Sequence, residues 1–231
     1  MNPLKAKLTQ SPLLARVGPY IVFLLLTFFQ GSCGALGRYW LYLAKTMVGA
    51  WMLWGVRPMV PEMRWNLSWP AAVVGVGMFA LWVGLDDLLV GLGLPNSYPK
   101  LNASAAAWNP LVQFGEGAPA AWFFIVVRLA GSALIVPPLE EVFFRSFLYR
   151  YAARADFLSV PLGRFAWRPF LIASVIFGME HREWLAGVLC GLAYQGLVCW
   201  QKRLGDAITA HAITNFLLGV WVVWKGAWQF W

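Results

Sequence analysis

The chain has 231 residues, of which 60 % are hydrophobic and only 12 % are charged. Soluble globular domains carry about 25 % charged residues, so this composition excludes an ordinary soluble protein and indicates an integral membrane protein. The formal net charge of +8 does not indicate nucleic-acid binding, because the basic residues interrupt apolar runs and form no stripe. We therefore expect the lipid bilayer, and no nucleic acid, as a partner.

The N-terminal segment resembles a secretory signal, because three basic residues precede its first apolar run: Lys5, Lys7 and Arg16. Cys33 also suggests a lipoprotein cleavage site, but Gln30 stands three residues before it, where that signal has Leu. No small-x-small cleavage site follows a convincing apolar core. We predict an uncleaved first span over residues 17–36.

Apolar runs of about 17–25 residues match the thickness of the hydrocarbon and predict the other spans. These runs cover residues 39–56, 71–92, 120–151 and 184–200, and a last one that starts near residue 206. A shorter run at 169–179 reaches only about half-way across the hydrocarbon. Residues 95–119 form the one long predicted loop, and the Trp-rich tail either completes the last span or forms a short eighth helix.

These runs predict an all-α, polytopic membrane protein with about seven to eight transmembrane helices. We expect a single integral membrane domain, with N-terminal spans in residues 1–118 and a second half in residues 119–231. A cytoplasmic N-terminus would put eleven basic residues of the connections inside and four outside, which is the usual bias. We predict that orientation.

The central motif is a charged cluster inside the apolar run 120–151. A charge at the bilayer centre costs about 2.5–3.5 kcal/mol. Three charged residues within two helical turns therefore indicate a functional or structural role. Glu141 and Arg145 are four residues apart and are predicted to pair on one helix face. Glu140 points about 100° away and is a candidate general base. A purely structural ion pair is the alternative. We expect the helix to break or restart at Pro137-Pro138.

Two further polar motifs lie on separate apolar segments. His211 and Asn215 are four residues apart and share a helix face, where either could donate to an oxyanion or orient a water. His181 follows Phe177 by four residues at the end of the short run. Helix rise places both histidines and Glu140 roughly 9–20 Å from the predicted cytoplasmic side, which one shared site requires. The alternative is that each histidine only packs or hydrogen-bonds.

In this order, the motifs Glu-Glu-x-x-x-Arg, Phe-x-x-x-His and His-x-x-x-Asn resemble the CAAX-protease and bacteriocin-processing (CPBP, or Abi) family of intramembrane proteases. The resemblance covers residues 120–221 and implies a catalytic four-helix core. It also implies hydrolysis near the C-terminal segment of a membrane-associated peptide or protein. Residues 77–86 resemble a narrower branch, the CAAX-protease-related proteins of bacterial exosortase (PEP-CTERM) systems. We therefore expect the bacterial inner membrane, with the site open toward the cytoplasmic half.

The resemblance also implies a role for each motif residue. Glu140 would activate a water that His181 holds, and His211 with Asn215 would form the oxyanion hole. Supporting positions are Glu141, Arg145 and Phe177, whereas Glu180 receives no role. No cofactor is expected. A zinc protease is the alternative, since two His and two Glu could bind zinc, although His-Glu-x-x-His is absent. A proton-coupled carrier and a non-catalytic scaffold are further alternatives.

Two charges lie outside these motifs. Asp86 is near the outer end of the third span, and Arg128 is inside the fourth. We predict an ion pair between them that ties the first half of the chain to the second. The alternative is that Asp86 and Asp87 are both interfacial and solvated.

Overall fold

The computed structural model describes residues 11–93 and 108–231. Lys5, Lys7 and most of the predicted loop 95–119 lie outside the described residues. Within those ranges the chain forms helices, turns and no strands, which confirms the all-α prediction. Four helical stretches are long and apolar enough to cross a membrane: Pro12–Met59, Trp69–Leu89, Pro119–Ala153 and Leu204–Lys225.

Eight helices give the described part of the chain its architecture. Their bounds are α1 Pro12–Gln30, α2 Gly34–Val56, α3 Trp69–Gly91, α4 Pro110–Phe114, α5 Pro119–Ala153, α6 Trp167–Met179, α7 Trp184–Gln201 and α8 Leu204–Lys225. Seven of these agree with the predicted apolar runs, and α4 is a short helix within the second half of the predicted loop. Helix α6, with 13 residues, is as short as the sequence indicates.

Helices α1 and α2 form an antiparallel hairpin. The chain reverses at Gly34, whose φ of +71° suits glycine because other residues rarely adopt it. The side-chain amide nitrogen of Gln30, Nε2, donates to the carbonyl oxygen of Arg38 at 3.1 Å. Further from the turn, Lys45 Nζ donates to Thr27 Oγ1 at 2.9 Å. These hydrogen bonds join the two helices on either side of a turn at residues 31–34. The turn lies inside the predicted first span.

Helix α5 continues through the two prolines, so no break occurs there, but its regular α-helical turns restart at Val136, directly before Pro137-Pro138. The proline rings cannot donate to the preceding turn, and a widened π-helical turn at Gly131–Ile135 absorbs the missing bonds. There the N–H of Val136 donates to the carbonyl oxygen of Gly131, five residues back. A second π-helical stretch covers Val142–Leu148. Such widened turns are frequent at functional sites, and here they flank the adjacent glutamates.

Glycines let the helices of the second half approach closely. A Cβ at Gly178 in α6 would lie 2.3 Å from Val188 Cγ2 in α7, so this position admits no side chain without movement. A Cβ at Gly75 in α3 would lie 2.6 Å from the carbonyl oxygen of Ala210 in α8. Small residues commonly allow such contacts between membrane helices. Helix α3 therefore packs directly on the second half of the chain.

A buried polar cluster joins α1, α5 and the connection between α2 and α3. Arg16 Nη2 lies 2.8 Å from Glu62 Oε1, and Arg16 Nε donates to Ser146 Oγ at 3.0 Å. Ser146 also donates to Glu62, and Arg150 Nη1 is 3.7 Å from the same carboxylate. Arg16 and Arg150 are both buried. Sequence reasoning missed Glu62.

The same connection is fixed to the start of α8. Asp206 is buried and accepts a hydrogen bond from Asn66 Nδ2 at 3.0 Å. It also accepts from Ser68 and from Arg203 Nε at 2.8 Å. The connection between α2 and α3 therefore lies at the end of the bundle where α5 finishes and α8 begins.

The C-terminal tail does not form an eighth span. Helix α8 ends before Gly226, which has a φ of +65°. A single 3-10 turn follows at Trp228–Phe230. The ring of Trp231 is buried and lies 5.7 Å from that of Trp108, so the tail folds back onto the protein.

Arg128 makes contacts other than the predicted one. Its guanidinium lies 5.0 Å from the ring centre of Tyr42, 4.7 Å from that of Trp108 and 5.4 Å from that of Trp231. Cation–π attraction to three rings stabilises a charge without a carboxylate. In the described part of the chain, Arg128 has these rings in place of the predicted ion pair with Asp86.

Candidate active site

The predicted pair of Glu141 and Arg145 is present at the centre of α5. Arg145 Nε lies 3.1 Å from Glu141 Oε2, and both side chains are fully buried. The guanidinium also lies 4.3 Å from the ring centre of Phe177, and its Nη2 donates to the carbonyl oxygen of Gly191 at 3.4 Å. This ion pair therefore ties α5 to α6 and α7.

His211 is held by the same glutamate. Its Nδ1 lies 3.0 Å from Glu141 Oε1, and its ring stacks on Tyr194 at 5.1 Å between ring centres. The Tyr194 hydroxyl donates to Thr214 Oγ1 at 2.8 Å. Because Nδ1 is engaged by Glu141, the other ring nitrogen, Nε2, is available to face reacting groups. The sequence did not indicate that Glu141 contacts His211, nor that Tyr194 stacks on the His211 ring.

Glu140, the neighbour of Glu141, is not part of this network of ion pairs and hydrogen bonds. Its Oε2 lies 4.0 Å from His211 Nε2, which is beyond hydrogen-bond distance. Among the described residues this buried oxygen has no hydrogen-bond partner. Its side chain keeps 16 % of its surface exposed, whereas Glu141 has none exposed. The predicted asymmetry between a paired and an unpaired glutamate is therefore confirmed.

His181 presents one ring nitrogen as a hydrogen-bond acceptor. Its Nδ1 lies 2.9 Å from the carbonyl oxygen of Phe177, and a carbonyl can only accept, so Nδ1 carries the proton. The remaining Nε2 of the neutral ring can then accept a hydrogen bond. The Phe177 ring lies 4.9 Å from that of His181 and 5.7 Å from that of His211. Phe177 thus packs against both histidines.

Asn215 lies one turn beyond His211 on α8. Its Nδ2 donates to the carbonyl oxygen of Ser132 at 2.9 Å, inside the first widened turn of α5. A carboxamide nitrogen has two hydrogens, so a second donor is available. The structure thus brings Glu140, Glu141, Arg145 and His211 into contact and orients Asn215 from the same face of α8.

A family model described as type II CAAX prenyl endopeptidase Rce1-like matches residues 120–217. Residues 120–217 are an Rce1-like domain. This confirms the predicted CPBP/Abi relationship, whereas the exosortase branch stays a prediction. No curated protein and no solved structure matches the chain.

The Rce1-like domain contains every motif residue predicted from the sequence. It begins in α5 and ends within α8. The match implies a hydrolase of the protease type, and together with the apolar helices it indicates an integral membrane protein. The bacterial inner membrane and the cytoplasmic N-terminus stay predictions.

Side chains from outside the Rce1-like domain complete the site. Tyr20 of α1 donates a hydrogen bond to Glu180 Oε1, and its ring stacks on Phe143 at 4.2 Å. Glu180 directly precedes His181 in the chain. Trp82 of α3 contacts the His181 ring edge-on at 5.4 Å. Sequence reasoning gave Glu180 no role and missed both aromatic residues, because a Tyr or Trp in an apolar run carries no distinguishing signal.

The carboxylates and histidines of the Rce1-like domain are not arranged as a metal site. Within residues 11–93 and 108–231, no group of three or more His, Cys, Asp or Glu side chains is placed to hold a metal ion. Glu141 is already engaged by Arg145 and His211, which leaves it poorly suited as a ligand. The expected absence of a cofactor stays a prediction.

Proposed function

We propose that the protein is an intramembrane glutamate-type endopeptidase that cleaves near the C-terminus of a membrane-associated peptide or protein. One observation carries this proposal. Of two adjacent glutamates, Glu141 is engaged by Arg145 and His211, while Glu140 is unpaired with its Oε2 4.0 Å from His211 Nε2. An unpaired carboxylate beside potential hydrogen-bond donors is what a general base for water requires.

In the proposed first step, Glu140 removes a proton from a water molecule. His181 Nε2 accepts a hydrogen bond from the other O–H of that water, which stays on the oxygen, and so orients the lone pair of the water toward the substrate. The oxygen attacks the scissile carbonyl carbon, and the carbonyl oxygen becomes an oxyanion. The hydrogen bond from His181 Nδ1 to the carbonyl oxygen of Phe177 supports this role, because it leaves Nε2 as the acceptor.

The oxyanion would be stabilised by donors on α8. The proposed donors are the second amide hydrogen of Asn215 and, with both ring nitrogens of His211 carrying a proton, its Nε2–H, because Nδ1–H donates to Glu141. Such preorganised groups contribute a large part of catalysis. Contacts with Glu141 and Ser132 support their orientation. As the C–N bond breaks, Glu140 returns its proton to the leaving amine nitrogen, so the base is regenerated.

Cleavage of tagged C-terminal peptides by the protein in lipid nanodiscs tests this proposal. The screen pairs each prenylated peptide with its unprenylated form, so it also measures whether the substrate needs a lipid. Glu140→Gln should lower the rate at least ~100-fold, as loss of a general base does. Asp156→Asn makes the same chemical change at an exposed loop position and should leave the rate unchanged. A Glu140→Gln variant with more than about a hundredth of the rate would disprove the assignment.

The zinc protease remains the second mechanism to test. The glutamate mechanism expects activity to survive prolonged dialysis against a strong chelator, with metal analysis of the dialysed protein. Activity that disappears and returns only with added zinc would replace it. Asn215 is a poor zinc ligand, and Glu141 is engaged in two contacts, which supports the metal-free mechanism.

A further inference from the structure

A cavity of about 580 Å³ lies where α5 ends and α6 begins. Three arginines line it, namely Arg154, Arg164 and Arg168. Its described lining contains no acidic side chain, and no residue of the candidate active site takes part in it. The cavity is therefore a separate, basic feature of the protein.

The three arginines are not neutralised by the protein. All three are exposed, and in the described part of the chain none of them forms an ion pair with a carboxylate. The guanidinium of Arg168 lies 5.1 Å from the ring centre of Trp167, a contact that orients it without cancelling its charge. Three cationic side chains thus face one cavity with no internal counter-ion.

The cavity wall is fixed by hydrogen bonds from outside the connecting loop. The Tyr149 hydroxyl donates to the carbonyl oxygen of Arg164 at 2.6 Å and accepts from the N–H of Ala166 at 2.9 Å. Lys202 Nζ donates to the carbonyl oxygen of Gly163 at 2.7 Å. Because these hydrogen bonds already fix the backbone of the cavity wall, little conformational entropy is lost there when a ligand binds. The smaller entropy loss favours affinity.

The position of the cavity is that of a membrane surface. It lies at the ends of two apolar helices, and beside it the aromatic side chains of Phe165 and Trp167 are 63 % and 61 % exposed. Trp is enriched at the level of lipid headgroups, where an apolar ring with a polar edge is stable. A membrane span that ends at Ala153 would place the cavity at the level of phospholipid phosphates.

We propose that this cavity binds the phosphate of an anionic phospholipid. Arginines form strong charge-assisted hydrogen bonds with phosphate oxygens, and basic pockets near helix ends bind anionic headgroups. The exposed rings of Phe165 and Trp167 would contact the glycerol and upper acyl chains, which a soluble anion lacks. This binding site is independent of the proposed proteolysis.

Lipid titration of the purified protein in detergent, read by native mass spectrometry, tests the site. Wild-type protein should retain phosphatidylglycerol in preference to phosphatidylcholine, and excess inorganic phosphate should not displace it. The double variant Arg164→Gln with Arg168→Gln should weaken phosphatidylglycerol binding about tenfold. The matched control, Arg57→Gln with Arg64→Gln, removes two exposed arginines from the connection at the same end of the bundle.

The control should bind phosphatidylglycerol as tightly as the wild type. Equal weakening in both double variants would show that surface charge alone attracts the lipid, and the proposal would fail. It would also fail if phosphatidylcholine bound as well, or if inorganic phosphate displaced the lipid and so identified a soluble anion. The last two measurements use only the wild-type protein, so they hold even if a variant folds poorly.

Discussion

The phenol of Tyr20 donates a hydrogen bond to the carboxylate of Glu180, 160 residues later in the chain. Tyr20 belongs to α1, outside the Rce1-like domain, whereas Glu180 is next to the candidate water-binding residue His181. The stacking of Tyr20 on Phe143 fixes its ring beside the central motif. The N-terminal helix is thereby part of the site wall.

Loss of the Tyr20 hydroxyl should therefore impair cleavage more than folding. Tyr20→Phe keeps the stacked ring and removes only the hydroxyl that donates to Glu180, the neighbour of the candidate water-binding residue His181. We expect kcat/KM to fall about tenfold, with a small change in Tm. Tyr151→Phe, at an exposed tyrosine, is the matched control.

A double-mutant cycle shows whether Tyr20 acts through Glu180. Combining Tyr20→Phe with Glu180→Ala should cost no more activity than Glu180→Ala alone, because alanine has already removed the acceptor of the Tyr20 hydroxyl. Additive losses would mean that the two residues act independently.

Arg145 should matter more for folding than Glu140. Arg145→Ala leaves Glu141 as a fully buried carboxylate with only His211 beside it, and breaking a buried pair costs about 3–5 kcal/mol. Glu140→Ala removes an unpaired carboxylate and should leave the Tm unchanged or higher. Thermal unfolding in detergent compares the two variants, and equal Tm values would contradict the pairing.

The close contact of α6 and α7 at Gly178 should not tolerate a methyl group. Gly178→Ala would place Cβ 2.3 Å from Val188, and overpacking of this kind costs about 1–3 kcal/mol. It should also reduce cleavage, since His181 lies one turn away. Gly84→Ala in α3 is the control, because its Cβ would meet nothing within 4 Å, and it should stabilise the helix by about 0.4–1 kcal/mol. The order of Tm values should be Gly84→Ala, wild type, Gly178→Ala.

Glu62 should make stability depend on acid pH. Burial raises the pKa of this carboxyl, but hydrogen bonds from Ser146 and Arg16 and the charge of Arg16 outweigh burial and lower the pKa below its usual value. A lowered folded-state pKa contributes stability above the unfolded value of about 4.3, and this is lost as the pH falls through the folded value. The Tm should therefore drop between about pH 5 and about pH 3.

The variants Glu62→Gln and Glu116→Gln separate this effect from general acid unfolding. Glu62→Gln should have a lower Tm near neutral pH and a shallower decline at acid pH. Glu116 is exposed, so Glu116→Gln should keep the wild-type decline. If the two variants decline alike, Glu62 is not the group responsible.

Local rules made part of the site predictable. Glu141 and Arg145 are four residues apart, and one helical turn brings any such pair together, so their ion pair followed from spacing alone. The lengths of the apolar runs likewise predicted the helices, including the short α6. The rule that proline interrupts a helix did not predict the continuous path of α5. The backbone adapts there, because a widened turn at Gly131–Ile135 carries α5 past Pro137.

By itself, the sequence determined that the chain is a helical membrane protein with three polar motifs on separate apolar helices. Only the tertiary structure decided which side chains meet, as with Glu141 and His211, Tyr20 and Glu180, or Arg16 and Glu62. It also gave Arg128 three aromatic rings where an ion pair was expected. The physical reason is that helices apolar on every side can rotate and pair in many ways. Close contacts at Gly178 and Gly75 and buried polar bonds select one arrangement, and these depend on the whole bundle.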